Sequence, residues 1–445
     1  MTVLKTFTKG GVHPAENKLS SDRKIIDLEL PASVSIPISM HLGVPSKPVV
    51  EKGSEVKVGQ LIADGDGFVS ARIHSPFSGK VVKIDKSLDA SGYKRDAIFI
   101  DVDGDTWLPE IDRTPDLKKD FVLKSEEIIQ KIKDAGIVGM GGATFPSHVK
   151  LSIPKGRKAE YLIINGVECE PYLTADHALM LEKSEELLVG VTLLMKGLKV
   201  EKAVIGVENN KPDAIEKLTQ LASGYDGITV QGLKVKYPQG GEKQLIKAVL
   251  NREVPSGGLP VDVGVVVFNA GTAVAVYEAI QKNKPLIDRI ITITGKSLKE
   301  PSNFRVRIGT PVSMLIEAAG GLPEDTGKVI NGGPMMGKAL SDTSVPVVKG
   351  TSGILLIPAR ESKRKAVEPC IRCSKCVSVC PMGLEPYLLM ALSQKSRFER
   401  LETDRVMDCI ECGSCSYICP SSRPLLDYIR LGKSEVGKII RSRKK

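Results

Sequence analysis

Aromatic side chains make up only 4% of these 445 residues, with one tryptophan, Trp107, and five histidines. No two of His13, His41, His74, His148 and His177 stand at metal-ligand spacing, so neither a histidine-built metal site nor a Ser-His-Asp order can be argued. No run approaches the roughly 20 apolar residues needed to span a bilayer, and no stretch has the pattern of a signal peptide. No zinc-finger, helix-turn-helix or RNA-recognition signature accompanies the net charge of +10, which argues against nucleic acid as a partner. What remains is a hydrophobic content of 42%, ordinary for a globular protein, in a chain long enough for about three or four domains. The expectation is a soluble or peripheral protein.

The informative residues are the cysteines. Eight of nine fall into two copies of one pattern, Cys370-x2-Cys373-x2-Cys376-x3-Cys380-Pro381 and Cys409-x2-Cys412-x2-Cys415-x3-Cys419-Pro420. This is the bacterial ferredoxin spacing for [4Fe–4S] clusters, in which the fourth cysteine of each run ligates the other cluster. One cluster is therefore assigned to Cys370, Cys373, Cys376 and Cys419. The other is assigned to Cys409, Cys412, Cys415 and Cys380. Zinc sites favour four ligands in two pairs with a longer spacer. A disulfide framework suits small secreted chains. Ligating thiolates also favour a reducing compartment such as cytoplasm. Between the motifs, Glu385 to Leu392 reads as a short packing helix. The ninth cysteine, Cys169, reads as a small buried residue.

Seven cations lie between Arg430 and Lys445 against one anion, Glu435, and Lys363-Arg364-Lys365 precedes the first motif. A solvated tail, a membrane surface or acidic partner, and nucleic acid compete for this charge. The absence of nucleic-acid motifs favours the second.

From about Val34 to Val102, short β-type runs alternate with turn residues. Ser75-Pro76-Phe77-Ser78-Gly79 resembles the barrel-sandwich fold of lipoyl and biotinyl domains. Phe68, at the hairpin tip Asp66-Gly67-Phe68-Val69, stands near the place of their modified lysine, so an interaction module is expected rather than a carrier. Tyr161–Ile164, Val200–Val207 and Val263–Phe268 read as buried parallel strands, with helices from Pro212 and from Thr272 to Gln281. Strands at Arg289–Gly295 and Phe304–Pro311, a helix at Val312–Ala319 and the loop Asn331–Gly337 suggest a small β-grasp-like domain. Pro358–Glu368 reads as a linker.

Gly136-Ile-Val-Gly139-Met140-Gly141-Gly142-Ala-Thr-Phe145-Pro146 carries four glycines in seven residues, which allows close backbone approach to a ligand. A helix starting near Pro146 would offer its N–H groups to a phosphate, with Lys150 as counter-charge. A tight packing loop is the competing reading, since the stretch matches neither Walker A nor G-x-G-x-x-G.

This loop resembles the flavin-binding loop of the NADH-binding subunit of respiratory complex I. Asn165-Gly-Val-Glu168-Cys169-Glu170-Pro171, Tyr237-Pro-Gln-Gly240-Gly241-Glu242 and Asn269-Ala-Gly-Thr272 are similar to later segments of that family, in the same order. Met140, Val167 and Gly241 depart from it, replacing an arginine, an aspartate and a glutamate. With two clusters and the N-terminal β domain, the chain resembles over nearly its whole length, including Gly10-Gly11-Val12-His13-Pro14, the C subunit of Rnf-type (Rsx) electron transport complexes. The resemblance implies a multidomain α/β architecture: a barrel-sandwich-like domain (1–110), a Rossmann-like FMN/NADH-binding core (120–285), a β-grasp, SLBB-like domain (286–345), a strand and linker (346–368), an α-helical two-cluster ferredoxin domain (369–430) and a basic tail (431–445).

It further implies that Gly139, Gly141, Gly142 and Lys150 hold the FMN phosphate and ribityl chain. Asn165, Glu168, Tyr237, Gly240 and Asn269 would line the ring pocket, and Phe145, Glu170 and Glu242 would hold the dinucleotide. The implied function is an electron-entry subunit of a membrane-bound, ion-translocating NADH:ferredoxin oxidoreductase, with non-covalent FMN, two [4Fe–4S] clusters, NADH as substrate and no catalytic side chain. The implied partners are an iron–sulfur B subunit, membrane D and G subunits and, through them, ferredoxin, at the cytoplasmic face of the bacterial inner membrane. The alternative is an iron–sulfur adaptor without its own flavin.

Overall fold

The structure is a computed structural model that describes residues 3–443. No described helix is long and apolar enough to cross a membrane.

Two small sheets form the N-terminal β domain. One has four antiparallel strands in the order Ser33–Pro37, Lys94–Val102, Gly79–Leu88, Glu55–Val56; the other pairs Lys47–Pro48, Leu61–Asp64 and Ile73–His74. Alternation along the strands sends Ile36, Val56, Ile62, Ile73, Val81, Ile98 and Ile100 inward. Phe77 is fully buried among them. The tip residue Phe68 is 66% exposed and reaches the glycine-rich loop. Its carbonyl accepts from His148 Nε2 (3.1 Å), and Leu42 N donates to Thr144 O (3.2 Å).

The chain before Pro31 pairs with strands outside these two sheets. Lys5 pairs with Leu233, Val12 with Tyr237, and Ile25–Asp27 adds an edge strand beside Ser302–Arg307. Too few residues there alternate for a sheet of their own, and they take their hydrogen bonds from the other domains instead.

The core sheet is parallel, in the order Ile228–Leu233, Lys202–Glu208, Tyr161–Asn165, Val265–Asn269. Its inner strands are continuous apolar runs because helices cover both faces. The strand expected from Val263 begins at Val265, because Pro260–Val263 is a 3-10 turn closed by Gly264 at φ +73°. Helices Ser184–Leu198 and Ala270–Gln281 touch at Gly190, where a Cβ would strike the Ala273 carbonyl.

A six-stranded mixed sheet follows, ordered Ile25–Asp27, Ser302–Arg307, Asp288–Thr294, Gly353–Pro358, Thr326–Asn331, Lys338–Ala339, with helix Val312–Ala318 packed on it. The strand expected within 346–368 is Gly353–Pro358, and it is an inner strand of the β-grasp sheet. The last domain packs helices Pro386–Gln394, Phe398–Thr403 and Leu425–Ser442 around Leu389, Leu401, Val406, Leu425 and Ile429.

The expected boundary at 430/431 falls inside Leu425–Ser442, and the described part of the basic tail is a packed helix. Arg430 and Lys433 pair with Glu411, Lys438 with Glu435 and Arg443 with Glu402. Lys444 and Lys445 lie outside the described residues. Arg364 of the smaller basic patch pairs with Asp427 at 2.6 Å.

Lys349 joins three parts of the fold. It is fully buried, and its Nζ donates to Arg72 O and Gly136 O, both at 2.7 Å. Nearby Arg72 already occupies Asp64 and Asp134, and burial lowers the Lys349 ammonium to about 7. A base lowered on folding binds fewer protons in the native state, so stability rises with pH from the folded value to the unfolded one. The wild-type minus Lys349→Met difference in unfolding free energy should be flat below pH 7 and climb by up to about 1.4 kcal/mol per unit toward pH 10.5 in denaturant titrations. A difference independent of pH would contradict this.

Candidate flavin and iron–sulfur centres

The chain runs outward from Tyr161–Asn165 through two strands, then returns to place Val265–Asn269 on the other side. Such a reversal opens a crevice at the carboxyl ends of the two strands that flank it, where α/β proteins bind ligands. Those ends are Asn165 and Asn269, in register with each other. Asn269 caps its helix by accepting from Thr272 N (3.3 Å), and its amide donates to Asp176 Oδ2 (2.6 Å). The Asn165 amide donates to Gly240 O (2.8 Å).

The glycine-rich loop closes on this crevice. A Cβ on Gly141 would lie 3.0 Å from Asn269 Cβ, whereas one on Gly142 would meet nothing within 4 Å. Gly141, Gly142 and Ala143 are exposed, and Gly139 N donates to Phe145 O (2.8 Å). Phe145 is half-buried. Helix Ser147–Leu151 begins one residue after Pro146. Lys150 donates to Glu242 Oε1 (2.8 Å) and Val267 O (2.9 Å). A backbone stripped of side chains, a lysine and two amides at a strand switch point fit a phosphate-bearing flavin.

Sequence reasoning missed Asp176 and Arg289. Burial, then repulsion from Glu168, raises the Asp176 carboxyl to about 6. Fully buried Arg289 donates to Met140 O (3.2 Å), bringing a guanidinium to a loop whose own arginine is replaced. Neither residue sits in a recognisable motif. Only the assembled β-grasp sheet carries Arg289 to the loop.

The segment Val167–Leu173 is pinned from behind. Lys18 Nζ donates to the carbonyls of Glu168, Glu170 and Leu173, and Lys211 Nζ to Val167 O. This holds Glu168 and Tyr172 at positive φ (48° and 72°). The Glu168 carboxylate accepts from Asp176 N and His177 N at the start of helix Ala175–Glu182.

Glu170 and Tyr237 bridge to other domains. Glu170 accepts from Met335 N (3.1 Å) and Met336 N (2.8 Å) in the loop of the β-grasp domain, and burial raises it to about 7. Tyr237 is 2% exposed, and its hydroxyl donates to Cys412 O (2.8 Å). It is the wall between core and cluster domain, where it packs with Val12, Cys169 and Cys412. Cys169 is half-buried and accepts from Gly240 N (3.3 Å).

Cys380, Cys409, Cys412 and Cys415 line one small cavity of about 20 Å³, walled by Leu384, Leu389, Leu426 and Ile429. This is the crosswise set expected from the spacing. Burial pushes Cys409 up to about 11 and Cys415 to about 12, so loading iron must displace protons. Leu384 N and Glu411 N donate to Cys380 Sγ and Cys409 Sγ, both at 3.4 Å, and such bonds tune cluster potential. In the other set Cys370 and Cys373 are exposed, and Cys376 lies close enough to Cys419 for its charge to add to an upward shift. Among the described residues, no three His, Cys, Asp or Glu side chains converge on a single-ion site.

Comparison with known proteins agrees with this layout. The RnfC barrel sandwich hybrid domain matches residues 6–105, the Nuo51 FMN-binding domain 132–278, the SLBB domain 290–339 and a 4Fe-4S dicluster domain 359–420. The chain is 48% identical to the C subunit of the proton-translocating ferredoxin:NAD(+) oxidoreductase complex of Clostridium ljungdahlii, over 97% of this chain and 94% of the relative. It is 45% identical to the C subunit of the Na(+)-translocating ferredoxin:NAD(+) oxidoreductase complex of Acetobacterium woodii, over 98% of each. The chain belongs to this C-subunit family. A relative from Rhodobacter capsulatus, the C subunit of an ion-translocating oxidoreductase complex, is 42% identical over 87% of this chain and 75% of its own. Among solved structures, a chain of the NAD+-reducing [NiFe]-hydrogenase aligns with 70% of this chain and 63% of its own, at 18% identity and a TM-score of 0.48. As a C-subunit family member, the chain carries an FMN-binding domain and iron–sulfur clusters, and it is part of an oxidoreductase complex.

Crosswise ligation has a direct test. Cys380→Ser and Cys409→Ser should remove the same reduced-cluster EPR signal, and Cys419→Ser should remove the one lost in Cys370→Ser. Loss of one signal by Cys380→Ser and Cys370→Ser alike would contradict the pairing.

Proposed function

We propose that the chain is an electron-entry subunit that oxidises NADH at FMN and passes single electrons through two [4Fe–4S] clusters to its partners. The observation that carries this reading is an FMN-binding core packed directly against the cluster cavity, with Tyr237 bonded to Cys412 O at the contact. When bound, FMN links two-electron hydride delivery to one-electron acceptors, chemistry that belongs to the cofactor. The protein's part is to bind, orient and exclude water.

In this reading Gly139, Gly141 and Gly142 let the backbone approach the phosphate and ribityl chain, and Lys150, held by Glu242, supplies the counter-charge. Asn165, Glu168, Gly240 and Asn269 would line the ring, with Asp176 bonded to the Asn269 amide. Phe145 and Glu242 would hold the dinucleotide. Tyr237 and Glu170 form the wall toward the clusters. No side-chain acid or base is required.

Cys380, Cys409, Cys412 and Cys415 would hold the cluster beside the core, placed to receive electrons from the flavin. Cys370, Cys373, Cys376 and Cys419 would hold the second, on a loop whose Cys370 and Cys373 are exposed and open to docking. The partners are an iron–sulfur B subunit and membrane D and G subunits at the cytoplasmic face, with ferredoxin reached through the complex. The FMN-domain match over 132–278 favours this over an adaptor without flavin.

The test is anaerobic. Purified protein should hold one FMN and about eight irons, and its visible spectrum should bleach on adding NADH. Eight irons without flavin, even after reconstitution, and no response to NADH would establish the adaptor instead. Lys150→Met removes a charged hydrogen bond worth roughly 1.5–3 kcal/mol, so FMN should bind about 10- to 150-fold more weakly by fluorescence titration. Unchanged FMN affinity would show that Lys150 does not hold the phosphate.

A further inference from the structure

The segment Phe7 to Val12 crosses from the core to the cluster domain and touches both arms of the buried cluster site. Gly11 N donates to Val379 O (2.9 Å), Val12 N to Tyr237 O (2.8 Å), and Tyr237 N to Val12 O (2.9 Å). Tyr237 in turn holds Cys412 through its hydroxyl. Phe7 is 1% exposed, with Lys236 Nζ 4.3 Å over its ring and bonded to its carbonyl.

Both glycines are obligatory here. Gly10 (φ +68°) and Gly11 (φ +94°) occupy left-handed backbone that L side chains avoid. A Cβ on Gly10 would lie 2.6 Å from Cys380 C and 2.7 Å from Cys380 O. Those are main-chain atoms of a cluster ligand and cannot yield as a side chain would. On Gly11 it would lie 2.9 Å from Phe7 Cζ and 3.0 Å from Tyr237 O. Exposed Lys9 lies with its ammonium against Gly383, whose N–H donates to Cys380 O (3.1 Å).

We propose that Lys9-Gly10-Gly11-Val12 is a positioning element for the cluster held by Cys380, Cys409, Cys412 and Cys415. It sets the Cys380 arm directly and the Cys412 arm through Tyr237, and Lys9 adds positive charge on the Cys380 side. This rests on the cluster assignment above. None of these residues ligates iron; they act through Cys380 and Tyr237.

The experiment uses the full chain, reconstituted anaerobically with iron, sulfide and FMN. It compares wild type with Gly10→Ala, Gly104→Ala and Lys9→Gln. Gly104 is the matched control, at φ +67° with nothing within 4 Å of its Cβ position. Readouts are iron and FMN per chain, the EPR spectrum of the reduced protein, and EPR-monitored redox titration.

Gly10→Ala should lose or distort only the signal that Cys380→Ser abolishes, falling toward about four irons with FMN retained, while Gly104→Ala keeps both signals. Lys9→Gln should keep the iron count and lower the potential of that one cluster, since a cation stabilises its reduced, more negative form. Gly10→Ala indistinguishable from Gly104→Ala overturns the proposal. If Gly10→Ala does not accumulate, an unshifted potential in Lys9→Gln overturns it. A Cys380→Ser variant that keeps every cluster signal of the wild type overturns the cluster assignment itself, and the proposal with it.

Discussion

Glu170 and Tyr237 meet where three domains converge, and the rest of the arrangement depends on that contact. Their oxygens are 3.4 Å apart. Glu170 takes the N–H groups of Met335 and Met336, and Tyr237 takes the carbonyl of Cys412. Two absent side chains make room: a Cβ on Gly333 would overlap the Glu170 carboxylate, and one on Gly413 would lie 2.6 Å from Met335 O. A buried carboxyl and a buried phenol are costly unless hydrogen-bonded. The junction therefore tolerates one docking of the cluster domain, and that docking sets the distance from the core's crevice to the first cluster.

Burial distinguishes the two proposed cluster sites. Cys412 is 8% exposed and backs onto Tyr237, whereas Cys370 and Cys373 stand in an exposed loop. An inner site shielded by Leu384, Leu389 and Ile429 is insulated from solvent, and an outer one is open to a partner. The basic helix fits this division, because Arg430 and Lys433 are spent on Glu411 beside Cys409.

Much of this was legible in the chain because its signals are local. Ala203–Val207 and Val265–Phe268 are buried parallel strands, which read as apolar runs. Pro212 and Pro386 mark helix starts, and the cysteine spacing is the geometry of a cubane written in sequence. What was not legible is long-range. Glu411 and Glu402, which neutralise the terminal helix, lie 19 and 41 positions before their partners Arg430 and Arg443. Arg289 reaches the glycine loop from a different domain. Glu170 gives no sign beside Pro171 of the Met335 loop whose N–H groups it accepts. Gly10 and Gly11 carry no signal of the cysteine they touch, because 370 residues separate Gly10 from Cys380.

The central claim is that the cluster of Cys380, Cys409, Cys412 and Cys415 stands next to the flavin. Rapid-freeze EPR after mixing with NADH tests it most directly, with Cys380→Ser and Cys370→Ser used to assign the two signals. The account predicts that the signal missing in Cys380→Ser appears first and the other follows. First appearance of the signal missing in Cys370→Ser would contradict it.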